Sequence, residues 1–311
     1  MRLMGQFARY LAERGIGSAV MALPYHMRRR SPGMGSGGPF TDPNVNRMAQ
    51  AANQSVSDVS TVVTWLSRQP SVDPHRIGVV GISLGAMLAH LAMGEDERLS
   101  AGVAILGGGD LPDLRRTSLV FRLKKHYPCE NPSPQELERL EQIDPLRYAD
   151  RNRPRRVLMI QAARDLLMPP RDARALWNAL GRPPIVWVDT NHFGLGLTVR
   201  SVMRASVAYL WSVWNENSLA DPPLPAVHVI TLKLGVLTGL GAALTPALQW
   251  QAYSFVTRRN HMSLLHSDLG WSTRGPFIGL AGTVNGFVDL GLGRRFSGGG
   301  FHPYLSLHIV F

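Results

Sequence analysis

Residues 77–93 constrain this chain more than any other stretch. The run Ile77–Val80 meets Gly81-Ile82-Ser83-Leu84-Gly85, and the apolar stretch Ala86–Met93 follows without a break. Strand, G-x-S-x-G, helix is the context in which a five-residue pattern becomes a nucleophile elbow. In such a turn the serine sits in strained backbone with its hydroxyl exposed. Gly81 and Gly85 leave space where a side chain would meet the neighbouring strand and helix. The helix that begins there aims its free N–H groups and positive end at the reacting atoms. Glycine is abundant here, with 31 in 311 residues, so the flanking strand and helix give the motif its weight.

A serine hydroxyl needs a base to take its proton and a third group to orient that base. Elbow folds supply them in the chain order Ser, Asp/Glu, His. Arg155–Ala162 reads as a buried strand followed by Ala163-Arg164-Asp165. The next strand, Pro184–Asp189, runs into Thr190-Asn191-His192-Phe193-Gly194. Ser83, Asp165 and His192 thus each follow a strand end, where open α/β sheets carry their sites. Asp110, after the strand-like Val103–Gly109, is the rival acid, and Asp165 could instead be a surface carboxylate paired with Arg164 or Arg171. His90 reads as a residue of the helix past the elbow. The expected set is Ser83 as nucleophile, His192 as base, Asp165 as orienting acid and the Leu84 N–H as oxyanion donor.

The stretch Val72–Gly85 resembles the elbow region of the α/β-hydrolase superfamily, closest to dienelactone-hydrolase-like and acyl-peptidase-like serine esterases. Asp144–Ala149, then the strand and Asp165 with Pro169, is similar to the acid region of that family. Asn191-His192-Phe193 stands where its members show Gly-His-Phe. The resemblance covers residues 3–215. It implies an α/β fold, a mostly parallel sheet flanked by helices, and a serine hydrolase that cleaves a small-molecule carboxylic ester through an acyl-enzyme on Ser83. Tyr25, His26, Ile82 and Phe193 are then candidate pocket residues. Two other readings stay open: a serine peptidase, and a non-catalytic or impaired hydrolase scaffold whose β-rich tail binds a membrane or partner.

One departure from that family matters. Its members carry a strand ending in His-Gly, whose loop supplies the second oxyanion donor. Here residues 1–15 already read as the helix that follows, with Leu3, Phe7, Tyr10 and Leu11 on one face and Gly15 and Gly17 ending it. Ser18–Leu23 then reads as a strand leading to Pro24-Tyr25-His26. The front strands, including a central one, are therefore expected to be missing, through a misassigned start codon or a gene fragment, which are favoured over another segment filling the slot. Loss of one oxyanion donor costs about 2.7–4 kcal/mol, roughly 100- to 1000-fold in rate, so weak activity is expected.

Elsewhere, Asn44–Gln69 contains an amphipathic helix with Val56, Val59, Val62, Val63 and Leu66 at helical spacing. Ala101–Leu106 is a strand and Leu197–Trp214 the last helix. Residues 111–152 are polar and irregular, with a helix near Pro134–Ile143, and read as a small cap. Arg28-Arg29-Arg30, with the glycines that follow, reads as a flexible, solvated basic loop. Residues 1–215 form the expected hydrolase domain, 216–225 a linker and 226–311 an antiparallel β-rich region.

In that last region period-two runs appear at Val227–Leu234, Leu248–Val256, Met262–Trp271, Phe277–Leu292 and Tyr304–Phe311. Leu305, Leu307, Ile309 and Phe311 alternate with Tyr304, Ser306 and His308, which argues strands with one apolar face. The tail resembles the closing hairpins of bacterial outer-membrane β-barrels. A complete barrel of that kind takes at least eight strands of about 9–11 residues, more than residues 226–311 easily supply. A partial sheet, or a barrel shared between copies, is expected, and membrane association through this region is not favoured.

With 45% hydrophobic and 18% charged residues the chain can build one α/β core and a small second one. The lone Cys129 excludes an internal disulfide. The net charge of +11 comes without a nucleic-acid motif and reads as solubility or attraction to anionic surfaces. No Cys/His spacing suggests a metal and no phosphate-cradling loop a nucleotide, so no cofactor is expected. There is no signal peptide and no apolar run long enough to cross a bilayer as a helix. This reads as cytoplasmic, or as cell envelope if the N-terminus is truncated.

Overall fold

The computed structural model describes residues 2–33, 35–123, 132–153, 155–188, 190–195, 199–215, 231–240, 242–257, 263–284 and 288–310. They divide into two compact units, one of Met1–Gln161, Leu167–Val186 and Arg200–Leu224, the other of Ala162–Leu166, Trp187–Val199 and Pro225–Phe311. The α/β elements are, in order, α1 (Arg2–Ala12), α2 (Val45–Leu66), β1 (Ile77–Ile82), α3 (Leu84–Glu95), β2 (Leu99–Ile105), α4 (Leu111–Thr117), α5 (Leu119–Arg122), α6 (Pro134–Gln142), α7 (Ala149–Asn152), β3 (Arg156–Ala162), α8 (Pro170–Ala179), β4 (Ile185–Val188) and α9 (Val199–Trp214).

The strands pair in the order β1-β2-β3-β4. β1 and β2 are parallel, as are β2 and β3. The Met159 N–H donates to Pro184 O at 3.0 Å and the Ala163 N–H to Val188 O at 2.8 Å. Both partners advance together, so β4 is parallel too. Val103, Ala104 and Ile105 of β2 and Val157–Ile160 of β3 are nearly inaccessible, the continuous apolar runs that a parallel sheet covered on both faces requires. The Asn44 side chain caps α2 by accepting from the Asn46 and Arg47 amides.

Helices α2 and α3 meet through Met48, Ala52, Met87, Leu88 and Leu91, and Leu111, Leu114, Phe121 and Leu140 join the same cluster. Residues 111–123 and 132–152 are therefore less irregular than expected. Their helices turn apolar side chains into a shared core, and a Ser133–Glu136 capping box starts α6. Asp144 ties this layer to the end of β2: its carboxylate accepts from the amides of Asp110, Leu111 and Leu146.

Two expectations fail here. Ser18–Leu23 forms no strand, and Gly17–Val20 is exposed. A strand is made by the ladder beside it, and no partner strand lies alongside these residues among those described. The basic loop is also anchored: Arg29 bonds Asp58 at 2.6 Å and Ala22 O at 2.9 Å.

His90, on α3, is 1% exposed, and neither ring nitrogen has a hydrogen-bond partner among the described residues. Burial pushes its pKa down to about 4. The unfolded chain binds the proton near the ordinary value of about 6.5 while the native state refuses it, so stability falls as pH drops from about 6.5 towards 4. Urea unfolding at pH 7 and pH 5 is expected to show about 2 kcal/mol lost from this group. His90→Leu is expected to remove that difference and leave stability at pH 7 equal or higher, because the orphaned ring nitrogens go.

The C-terminal strands are β5 (Thr231–Gly239), β6 (Ala242–Thr257), β7 (Ser263–Ser272), β8 (Gly275–Val284), β9 (Val288–Arg295) and β10 (His302–Val310). They form a closed antiparallel barrel in the order β10-β5-β6-β7-β8-β9. This corrects two expectations. The run Phe277–Leu292 is two strands, β8 and β9, paired from Val284–Val288 onward. The tail also closes within one chain on six strands. Small inward residues permit so narrow a barrel. A Cβ on Gly270 would run into the Phe277 ring, and one on Gly279 would sit 2.6 Å from the Tyr304 hydroxyl. Two aromatic rings pack against bare backbone inside the barrel.

Candidate active site

Ser83 joins β1 to α3 with φ 55° and ψ −118°, a conformation that costs on the order of 1–3 kcal/mol for a residue with a side chain. The surroundings hold it there. Its N–H donates to Ile105 O at 2.7 Å, at the end of β2, and its carbonyl accepts from the amides of Ala86 and Met87. Leu84 is the first residue of α3, so its N–H has no acceptor within the helix and is free for an oxyanion.

The two elbow glycines are not equivalent. A Cβ on Gly81 would collide with the Gly85 carbonyl oxygen and stand 2.6 Å from the Ala86 nitrogen, whereas a Cβ on Gly85 meets nothing within 4 Å. This corrects the expectation that both are sterically required. Gly107 is also tight against the elbow, where a Cβ would lie 2.8 Å from the Ala86 Cβ; the G-x-S-x-G pattern does not reveal it. Gly81→Ala is expected to cost more than about 4 kcal/mol or to prevent folding. Gly85→Ala, inside α3, is expected to be neutral or to stabilise by up to about 1 kcal/mol. Thermal melts of the two variants check the contrast.

Asp165 and His192 follow β3 and β4. The Ala163 and Arg164 amides donate to Val188 O and Thr190 O, which locks the two loops together. His192 Nδ1 lies 2.7 Å from Asp165 Oδ2. A carboxylate oxygen accepts, so Nδ1 carries the proton and Nε2 is left as the basic nitrogen. Asp165 is 2% exposed, which keeps this bond out of water. Asn191 shapes the turn by accepting from the Gly194 amide at 2.7 Å. The rival acid has another task, since Asp110 caps α4 by accepting from the Asp113 amide. Arg171 is engaged with Asp113 and Asp172. Burial, and then the adjacent Asp113, push the Asp172 carboxyl up to about 8.

The candidate pocket residues fall in different settings. Tyr25 is half-buried and packs on the cluster that Leu84 also touches. His26 is built into its own loop, with Nδ1 2.9 Å from Pro24 O and its ring 5.6 Å from that of Phe40. Ile82 is half-buried at the end of β1. Phe193 is 68% exposed and stands edge-on to the His192 ring.

One group with metal-ligating composition went unnoticed in the sequence. His266, Asp268 and Asp289 are fully buried and present ligand atoms within 4.8 Å of one another. They come from β7 and β9, and only strand pairing brings them together.

A strained serine elbow between a parallel strand and a helix is the turn on which α/β-hydrolase folds are built. The model of the prolyl oligopeptidase family matches residues 34–192, more than half of the 311 residues. The chain belongs to that family. It is 26% identical to the Mycobacterium tuberculosis uncharacterized protein Rv2627c over 214 residues, 68% of this chain and 49% of the other. It is 31% identical to the polyketide transferase ATR5 of Stachybotrys chlorohalonatus over 102 residues, 33% of this chain and 30% of that one. The chain thus spans about half the length, or less, of the curated relatives it matches. Among solved structures it resembles TT1662 from Thermus thermophilus, with a TM-score of 0.50 and 22% identity over 67% of this chain and 81% of that one.

Proposed function

We propose that Ser83, His192 and Asp165 act as a catalytic triad that hydrolyses a carboxylic ester of a small molecule. The observation that carries this reading is the Nδ1–Oδ2 bond of 2.7 Å between His192 and Asp165; the strained elbow that holds Ser83 at the start of α3 supports it. Ser83 Oγ attacks the acyl carbon as His192 Nε2 takes its proton. The Leu84 N–H receives the developing oxyanion. The tetrahedral intermediate collapses as the imidazolium returns the proton to the leaving alkoxide. Water then repeats the sequence on the acyl-enzyme and frees the acid.

An ester is favoured over a peptide on energetic grounds. The Leu84 amide is the one oxyanion donor the described residues let us assign, and each such donor is worth roughly 100- to 1000-fold in rate. An amide, with its poorer leaving group, leans more on that stabilisation. A matched pair of substrates tests the choice: an acyl nitrophenyl ester and the corresponding aminoacyl anilide. Turnover of the ester with little or none of the anilide is expected. Preference for the anilide would make the protein a peptidase, and turnover of neither would make it a scaffold.

A further inference from the structure

The barrel is built inside out for a protein in water. Its inward positions hold Gln249, His266, Asp268, Asp289 and Ser306, all buried. Its outward positions hold Leu269, Trp271, Ile278, Leu280, Leu290 and Leu292, each between 42% and 64% exposed. The alternation is regular along β8, where Phe277, Gly279 and Ala281 are buried between exposed Ile278 and Leu280. Leu248 on β6 and Leu307 on β10 extend the exposed set. A soluble barrel places its apolar side chains inside, and contiguous exposed apolar surface marks a contact site.

We infer that this outer surface inserts into the hydrocarbon of a lipid bilayer. Three features choose lipid over a protein partner. The apolar positions occur on five successive strands, β6 to β10, and so run around the barrel, whereas a protein partner covers one patch of a surface. Each of β7 and β8 is 10 residues long, the length at which a tilted strand crosses a hydrocarbon core of about 30 Å. The hairpin ends also carry the side chains of a membrane interface. Trp271, Phe296 and Phe301 are exposed at the β7–β8 and β9–β10 turns, and the Phe296 amide donates to Pro276 O across them. Arg274 and Arg294 stand exposed at the same end, suited to anionic headgroups. A closed ladder leaves no unpaired edge facing lipid, and the buried polar cluster is what such a barrel keeps inside.

Flotation of the full chain tests this. The protein, purified in detergent, is diluted into phosphatidylcholine/phosphatidylglycerol vesicles and centrifuged through a density gradient. It is expected to float, and Ser83→Ala to float equally, so that failure of the hydrolase reading would not affect the result. Leu280→Glu combined with Leu292→Glu is expected to reduce the floating fraction by at least about ten-fold. Should that variant misfold, single cysteines in a Cys129→Ser background give a second readout. An environment-sensitive dye at Leu280→Cys is expected to shift to shorter wavelength on vesicle addition, while the same dye at Asn178→Cys on α8 stays unchanged. A folded chain that stays in the dense fraction overturns the inference. So does a Leu280→Cys dye indifferent to lipid, or disulfide crosslinking of Leu280→Cys between two copies in detergent-free buffer, which would assign the belt to a second copy.

Discussion

Ser83→Ala is expected to lower kcat/KM for an activated ester by roughly 10⁴- to 10⁶-fold and to abolish labelling by a fluorophosphonate, with the far-ultraviolet circular dichroism unchanged. Removal of a serine nucleophile from a triad leaves only what the oxyanion donor and substrate binding contribute. The fold should tolerate the change because the Ser83 conformation is imposed from outside. The Ser83 N–H bond to Ile105 O and the Gly81–Gly85 approach are both backbone features, and an alanine retains them. Residual hydrolysis within ten-fold of the parent would mean that another group performs the chemistry.

Asp165→Asn should reduce kcat by about 10⁴-fold with a smaller effect on KM. The reason is tautomeric. In the parent the carboxylate oxygen, 2.7 Å from Nδ1, requires the proton on that nitrogen. An asparagine can turn its NH₂ to the same place, which favours a bare Nδ1 and puts the proton on Nε2, where it blocks general-base action. Steady-state kinetics on the purified variant read this directly. Asp110→Asn serves as the comparison: its carboxylate caps α4, so the expected outcome is unchanged kcat and at most about 1 kcal/mol lost in stability. If Asp110→Asn were the variant that lost activity, the acid would be misassigned.

The parts of the candidate site that were legible in the sequence are those encoded locally. The serine elbow, the acid and the histidine each follow a short buried strand, and a strand-end loop is visible from its neighbours alone. Asp165 and His192 lie 27 residues apart yet meet, because their strands are adjacent in a parallel sheet. What failed depends on partners. Ser18–Leu23 has strand composition, but pairing decides whether strand forms. In the tail, alternation at Tyr304–Leu307 identified two faces correctly, yet period two does not say which face looks inward. Only closure of the ladder put Ser306 inside and Leu307 outside. The six-strand closure itself depends on Gly270 and Gly279 facing Phe277 and Tyr304, a complementarity between positions on different strands that no local window contains. His266, Asp268 and Asp289 escaped notice for the same reason.

The proposed chemistry requires the Ser83 hydroxyl and the free nitrogen of His192 to meet. The most direct measurement is a crystal structure of the full chain, parent and fluorophosphonate-treated. The account requires Ser83 Oγ about 2.6–3.2 Å from His192 Nε2 in the parent, and in the treated protein a phosphorus bonded to Ser83 with its oxygen at the Leu84 amide. A Ser83 hydroxyl well beyond hydrogen-bond reach of that nitrogen, with no adduct on Ser83, would contradict it.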